Sequence, residues 1–232
     1  MALVSRLLAW LGAREGATLV ALLLAAAGVW LFVEVADDVL EGETASVDEL
    51  LLLSLRVAND ASDPLGPPWV EELARDMTGL GGVGVLTILT LASAGFLALQ
   101  RRTHLAIYLL VAVGCGTVAS LLLKLGFDRP RPELVPHGSL VYTSSFPSGH
   151  SMLSAVVYLT LGALLASGQT NLLMRAYLLG LAALLAALVG VSRVYLGVHW
   201  PTDVLAGWAA GAAWALMCWA LAERLRRRGD VE

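Results

Sequence analysis

Six stretches without a charged residue, 16–33, 77–100, 105–123, 151–174, 176–192 and 204–222, constrain this chain more than any other feature. A hydrocarbon core about 30 Å thick is crossed by about 20 apolar helical residues. Every run is at or near that length. Only Arg175 separates the fourth run from the fifth, and the string SGQTN at 167–171 supplies a tight turn there. The fifth helix is therefore predicted to start near Leu172. The expectation is an all-α fold, a six-transmembrane-helix bundle forming one integral membrane domain over 1–232. Composition agrees, with 58% apolar and 15% charged residues, where soluble domains carry about 25% charged. The first run resembles a signal peptide in its basic start, but its 18 uncharged residues and the acidic EVADD after it suit a retained anchor.

Sidedness follows from the basic residues in short loops. Six spans place Arg6, Arg14, Arg101, Arg102, Arg175, Arg224, Arg226, Arg227 and Arg228 on one side, and Arg56, Arg75, Lys124, Arg129, Arg131 and Arg193 on the other. Nine against six puts both termini in the cytoplasm. The segment 37–76 is then outer, with eleven Asp/Glu against two Arg. Within it, Ser46 and Glu49 have capping-box spacing ahead of an apolar run. Pro68 suits a first helical position, with Trp69, Val70, Leu73 and Met77 on one face. Both are expected to be short amphipathic helices lying on the membrane surface. Such helices serve either as a structural cap or as a rim that guides a lipid. NDASDPLGPP at 59–68 reads as a turn-rich connector.

Three outer stretches concentrate polar groups in this greasy chain. KLGFDRPRP carries Lys124, Arg129 and Arg131; FPSGH carries Ser148, Gly149 and His150; SRVYLGVHWPTD carries Arg193, His199 and Asp203. Lys124 is the single lysine against 14 arginines. Lys124, Arg131 and Arg193 together invite an anion, and phosphate oxygens match guanidinium forks. PSGH opens a helix, where free N–H groups favour an anion and glycine lets the backbone approach closely. Asp203, four residues after His199, orients that imidazole if the turn is helical, making its other nitrogen the better nucleophile. His150 is placed to move a proton. This is equipment for phosphoryl transfer without a metal, since no ligand cluster with metal spacing is present. Arg129 stays open between a headgroup anchor and a site residue. His104 reads as solvated, Glu34 as interfacial, and His137 as a minor candidate for substrate contact. Trp200 adjoins His199 and packs the loop. Cys115 and Cys218 read as packing residues.

These motifs resemble those of the type 2 phosphatidic-acid phosphatase family, which shares its site architecture with vanadium-dependent haloperoxidases. The family pattern is Lys, six residues, Arg-Pro; Pro-Ser-Gly-His; and Ser-Arg, five residues, His, three residues, Asp. Here it reads Lys124 to Arg131-Pro132, Pro147 to His150, and Ser192-Arg193 to His199 and Asp203. The resemblance implies a phosphohydrolase in which His199 is the nucleophile, Asp203 orients it, and His150 is the acid and then the base. Lys124, Arg131, Ser148, Gly149 and Arg193 would hold the phosphate, with no metal or other cofactor. It implies a lipid phosphate as partner, within membrane lipids and without nucleic acid; the count of basic residues puts the site at the outer face, and the membrane is expected to be a bacterial cytoplasmic one. Undecaprenyl diphosphate is the expected substrate by analogy, with phosphatidylglycerol phosphate and phosphatidic acid as alternatives. A transferase and a non-catalytic phosphate-lipid carrier stay open, as does oligomeric state.

Overall fold

The computed structural model describes residues 14–58, 60–133, 144–227 and 229. Its helices are α1 (Arg14–Glu41), α2 (Ala45–Leu53), α3 (Pro68–Leu80), α4 (Val83–Leu99), α5 (Thr103–Leu125), α6 (Gly149–Ser167), α7 (Leu172–Tyr195) and α8 (Pro201–Arg227). Five of them, α1, α5, α6, α7 and α8, are long and apolar enough to cross a membrane. The pair α3 and α4, bent by 50° at a short break, makes a sixth span when taken together. The chain is thus an all-helical integral membrane bundle.

The departures from expectation lie in the segment 37–76. Two short strands pair antiparallel, β1 (Arg56–Val57) with β2 (Asp60–Pro64), and Arg56 faces Pro64. The expected connector thus pairs with Arg56 and Val57, just ahead of it; Arg56 donates to the carbonyl of Tyr195 at 2.9 Å and the Tyr195 hydroxyl donates to the carbonyl of Leu65 at 3.0 Å. The helix after Thr44 begins one residue before Ser46, so Ser46 lies inside its first turn and makes no capping box. Pro68 does occupy the first turn of α3. That helix is short, amphipathic and largely exposed, with Trp69 and Leu73 on its open face. It packs along α7 and continues into α4 through Gly81 and Gly82.

Helix α6 is the centre of the bundle, packed against α4, α5, α7 and α8. Its sequence explains this: Ser151, Ser154, Ala155 and Gly162 are small, and Met152, Val156 and Val157 fill the spaces between helices. Small residues let membrane helices approach closely where hydrophobicity gives no preference for protein over lipid. A Cβ on Gly207 would lie 2.7 Å from the carbonyl oxygen of Ser148, and one on Gly211 would lie 2.5 Å from that of Met152. Any larger residue there would push α8 off α6. Leu23, Leu24, Trp30, Ile88, Leu121 and Leu184 stay exposed on outer helix faces, as lipid contact requires.

A small core sets the loops before α6. The rings of Phe127 and Phe146 sit 4.6 Å apart edge to face, and Phe32 of α1 covers both at 6.5 and 5.9 Å. Phe146 is fully buried. Offset and edge-on aromatic contacts add roughly 0.5–1.5 kcal/mol beyond their buried area. This cluster clamps the stretch after Lys124 to the stretch before Ser148.

Candidate active site

Three chain segments meet at one end of the bundle: the turn between α7 and α8, the start of α6, and the irregular stretch after α5. Asp203 is the third residue of α8, and its Oδ2 accepts the backbone N–H of Trp200 at 2.9 Å. A carboxylate at that position commonly reaches back to satisfy a free donor at a helix start. The same geometry puts Oδ2 3.3 Å from Nδ1 of His199. The Ser145 hydroxyl donates to this oxygen at 2.5 Å and lies 3.2 Å from Nδ1. Pro201 between His199 and Asp203 does not break the arrangement, because it occupies the first turn of α8, where its missing N–H costs nothing.

The other nitrogen of His199, Nε2, lies 3.2 Å from Nη1 of Arg131. A guanidinium only donates, so Nε2 accepts and Nδ1 carries the proton toward Asp203. His199 is buried at 1% exposure. Burial holds its imidazole down at about 3; Asp203 opposes this, while Arg193 and Arg131 add to it. The ring is therefore neutral at pH 7, with a lone pair on the nitrogen that faces the arginine.

Two further cations, Lys124 and Arg193, accompany Arg131 in this region. Arg131 also donates to the carbonyl of Val198 at 2.9 Å. Lys124, in the last turn of α5, donates to the carbonyl of Ser144 at 2.8 Å. Arg193, in the last turn of α7, donates to the hydroxyl of Thr78 at 3.0 Å. The Nε of Arg193 is buried and bonds to nothing among the described residues. Lys124, Arg131 and Arg193 lie within electrostatic range of one another and of His150, in the first turn of α6. A Cβ on Gly149 would meet the Lys124 side chain at 3.2 Å, so the glycine leaves that ammonium its place. Ser148 caps α6, accepting from the N–H of Ser151 at 3.4 Å and from its hydroxyl at 2.9 Å. Its backbone N–H donates to the carbonyl of Asp203 at 2.9 Å, tying the start of α6 to that of α8.

All eight residues singled out in the sequence, Lys124, Arg131, Ser148, Gly149, His150, Arg193, His199 and Asp203, thus lie in this one region. Arg129 is settled by geometry: it is no headgroup anchor but is paired with Asp203 at 2.7 Å and Asp48 at 2.6 Å. Asp48, Ser145 and Thr78 were missed. Asp48 sits in the stretch scored for a capping box, where an acid facing inward from an apolar helix was the available signal. Ser145 and Thr78 had none. His137 lies outside the described residues, His104 and Glu34 are exposed away from the cluster, and both cysteines are free. Among the described residues no group of three or more His, Cys, Asp or Glu is arranged to hold a metal.

The sequence profile of the PAP2 superfamily matches residues 105–227. Phosphatidylglycerophosphatase B of Bacillus subtilis is 34% identical over 163 residues, which cover 69% of this chain and 79% of that protein. The crystal structure of a transmembrane PAP2 type phosphatidylglycerolphosphate phosphatase from Bacillus subtilis superposes with a TM-score of 0.79 at 28% identity, covering 88% of this chain and 98% of that one. An undecaprenyl-diphosphatase of Sulfolobus acidocaldarius is 35% identical over 112 residues, about half of each chain at 47% and 48%.

Proposed function

The chain belongs to the PAP2 superfamily and is an integral membrane lipid phosphatase; from that premise we propose that it removes the terminal phosphate of phosphatidylglycerol phosphate, without a metal, through a phosphohistidine on His199. The observation that carries this reading is the setting of His199, with Nδ1 on Asp203 and Nε2 facing Arg131 beside Lys124 and Arg193.

In the first step Nε2 attacks phosphorus and the bond to the leaving alkoxide breaks, with His150 delivering the proton that makes it an alcohol. Asp203 stabilises the charge that grows on the ring as Nε2 is phosphorylated. Lys124, Arg131 and Arg193 neutralise the non-bridging oxygens, and the unpartnered Nε of Arg193 suits a second donor from the same fork. Both acceptor positions of the Ser148 hydroxyl are used by Ser151, so its own proton is left to donate to phosphate. In the second step His150 takes a proton from water, the water oxygen attacks phosphorus, and the P–N bond breaks to release inorganic phosphate.

Undecaprenyl diphosphate is the second reading, favoured by the likeness to the archaeal diphosphatase. The site end is proposed to face outward, on the strength of the nine-to-six split of basic residues. The reading is tested by phosphate release from purified protein on phosphatidylglycerol phosphate, undecaprenyl diphosphate and phosphatidic acid. His199→Ala is expected to lower turnover on the order of 10⁴-fold and to abolish the acid-labile phosphoenzyme. Unchanged turnover in that variant overturns the mechanism. A higher kcat/KM on the diphosphate installs the second reading.

A further inference from the structure

Resting on that reading of His199 and Asp203, we propose that Asp48 and Arg129 are positioning residues of the reaction, an ion pair brought in by the outer helix α2 that fixes the Asp203 carboxylate against His199. Arg129 spreads its fork between two acids. Nη1 donates to Oδ1 of Asp203 at 2.7 Å, and Nη2 donates to Oδ2 of Asp48 at 2.6 Å. The two hydroxyls flanking this bridge are engaged as well: Nη1 donates to Thr202 at 2.8 Å and Nη2 to Thr44 at 3.2 Å. Its guanidinium carbon stands 5.8 Å from the ring centre of Trp200, the residue between His199 and Pro201.

The consequence for Asp203 is a division of labour between its oxygens. Oδ1 is taken by Arg129, so Oδ2 is turned to Nδ1 of His199, the Ser145 hydroxyl and the N–H of Trp200. Asp48 acts on the same helix from outside. Its Oδ1 accepts the backbone N–H of Thr202 at 2.9 Å and its Oδ2 the Thr202 hydroxyl at 2.6 Å, so a residue about 150 positions away caps α8 at the turn that carries Asp203. The side chains of Asp48 and Asp203 are 1% and 0% exposed and that of Arg129 is 13% exposed, so water screens the chain of charges weakly. Taking one member away leaves a buried charge unpaired.

Arg129 also differs from its neighbour two residues on. Arg131 faces Nε2, where phosphate would sit, whereas Arg129 spends both ends of its fork on carboxylates behind the ring. The pair therefore sets the imidazole and does not hold substrate, which separates an effect on kcat from one on KM. A lysine at 129 would carry the charge but would reach only one of the two acids at a time.

The test is steady-state and single-turnover kinetics on phosphatidylglycerol phosphate in detergent, for Asp48→Asn, Arg129→Gln, Arg129→Lys and their double Asp48→Asn/Arg129→Gln, beside His199→Ala. Asp48→Asn and Arg129→Gln are expected to lower kcat and the rate of phosphoenzyme formation by roughly 100-fold, with KM held within about threefold. Arg129→Lys is expected to recover about tenfold of the loss, and the double variant to be no worse than the poorer single, because the two act as one unit. A rise in KM at constant kcat would make Arg129 a substrate ligand and overturn the proposal. So would unchanged kcat in folded protein whose melting temperature alone has dropped. Should Arg129→Gln not fold, Asp48→Asn and Arg129→Lys give the same kcat-against-KM reading. Turnover surviving in His199→Ala would instead strike the underlying mechanism, while an inactive His199→Ala beside fully active Asp48 and Arg129 variants defeats only this inference.

Discussion

The two nitrogens of His199 look into two differently built regions. Behind Nδ1, charges alternate and close on one another: Asp203, Arg129 and Asp48 share a guanidinium and two carboxylates within 2.7 Å contacts. On the Nε2 side, Lys124 bonds a carbonyl, Arg193 a hydroxyl, and Arg131, among its partners, a carbonyl and the ring nitrogen. The first region satisfies itself in the absence of substrate. The second keeps cations together against their mutual repulsion, at a cost that a dianionic phosphate relieves. One imidazole between them is held by the closed side and aimed at the open side. Arg129 and Arg131, two residues apart in the chain, thus face opposite sides of one ring, and their partners decide which.

Breaking the closed side should do the most damage. Asp203→Asn keeps the shape but presents an amide where Nδ1–H needs an acceptor, and a wrong tautomer costs on the order of 10⁴-fold in comparable His–Asp pairs. Single-turnover phosphoenzyme formation checks this; a loss under tenfold would show that the carboxylate is only a helix cap. Breaking the open side is milder. Arg193→Lys keeps the charge but loses the fork whose Nε is unpartnered, so kcat/KM on phosphatidylglycerol phosphate should fall on the order of 100-fold. Near-normal rates would remove Arg193 from the phosphate.

Acidity sharpens the contrast further. Because burial holds His199 at about 3, the free ring stays neutral well below the usual imidazole range. The sign is that of a depressed group: protonation of the nucleophile sets in only as pH falls toward about 3, not through about 6.5. With p-nitrophenyl phosphate, whose leaving group needs no acid, phosphoenzyme formation should change less than about threefold between pH 7 and 5, where an ordinary imidazole would lose about 30-fold. The smallest expected effect is that of chelation. EDTA should leave turnover within about twofold, because the proposed mechanism gives Lys124, Arg131 and Arg193 the work a metal would do on the phosphate oxygens. A metal-dependent rate would break the comparison at its root.

Much of this was legible from the chain alone, for identifiable reasons. Apolar runs of about 20 residues leave a helix little choice but to span. The turn at 167–171 placed the start of α7 at Leu172, as observed. The eight site residues stand at spacings that local structure fixes, such as Asp203 one helical turn beyond His199. The segment 37–76 resisted reading because its form depends on partners far away. Arg56, on β1, bonds the end of α7, and α3 packs along that same helix.

Sequence by itself determined the membrane bundle, the family and the chemistry on offer, since hydropathy and short-range spacing are properties of neighbouring residues. Only the tertiary structure decided that Asp48 belongs with Asp203, and that Arg129 faces backward while Arg131 faces forward. Those outcomes depend on which buried charges find each other across some 150 residues, and pairing at that range leaves no periodic trace in the chain.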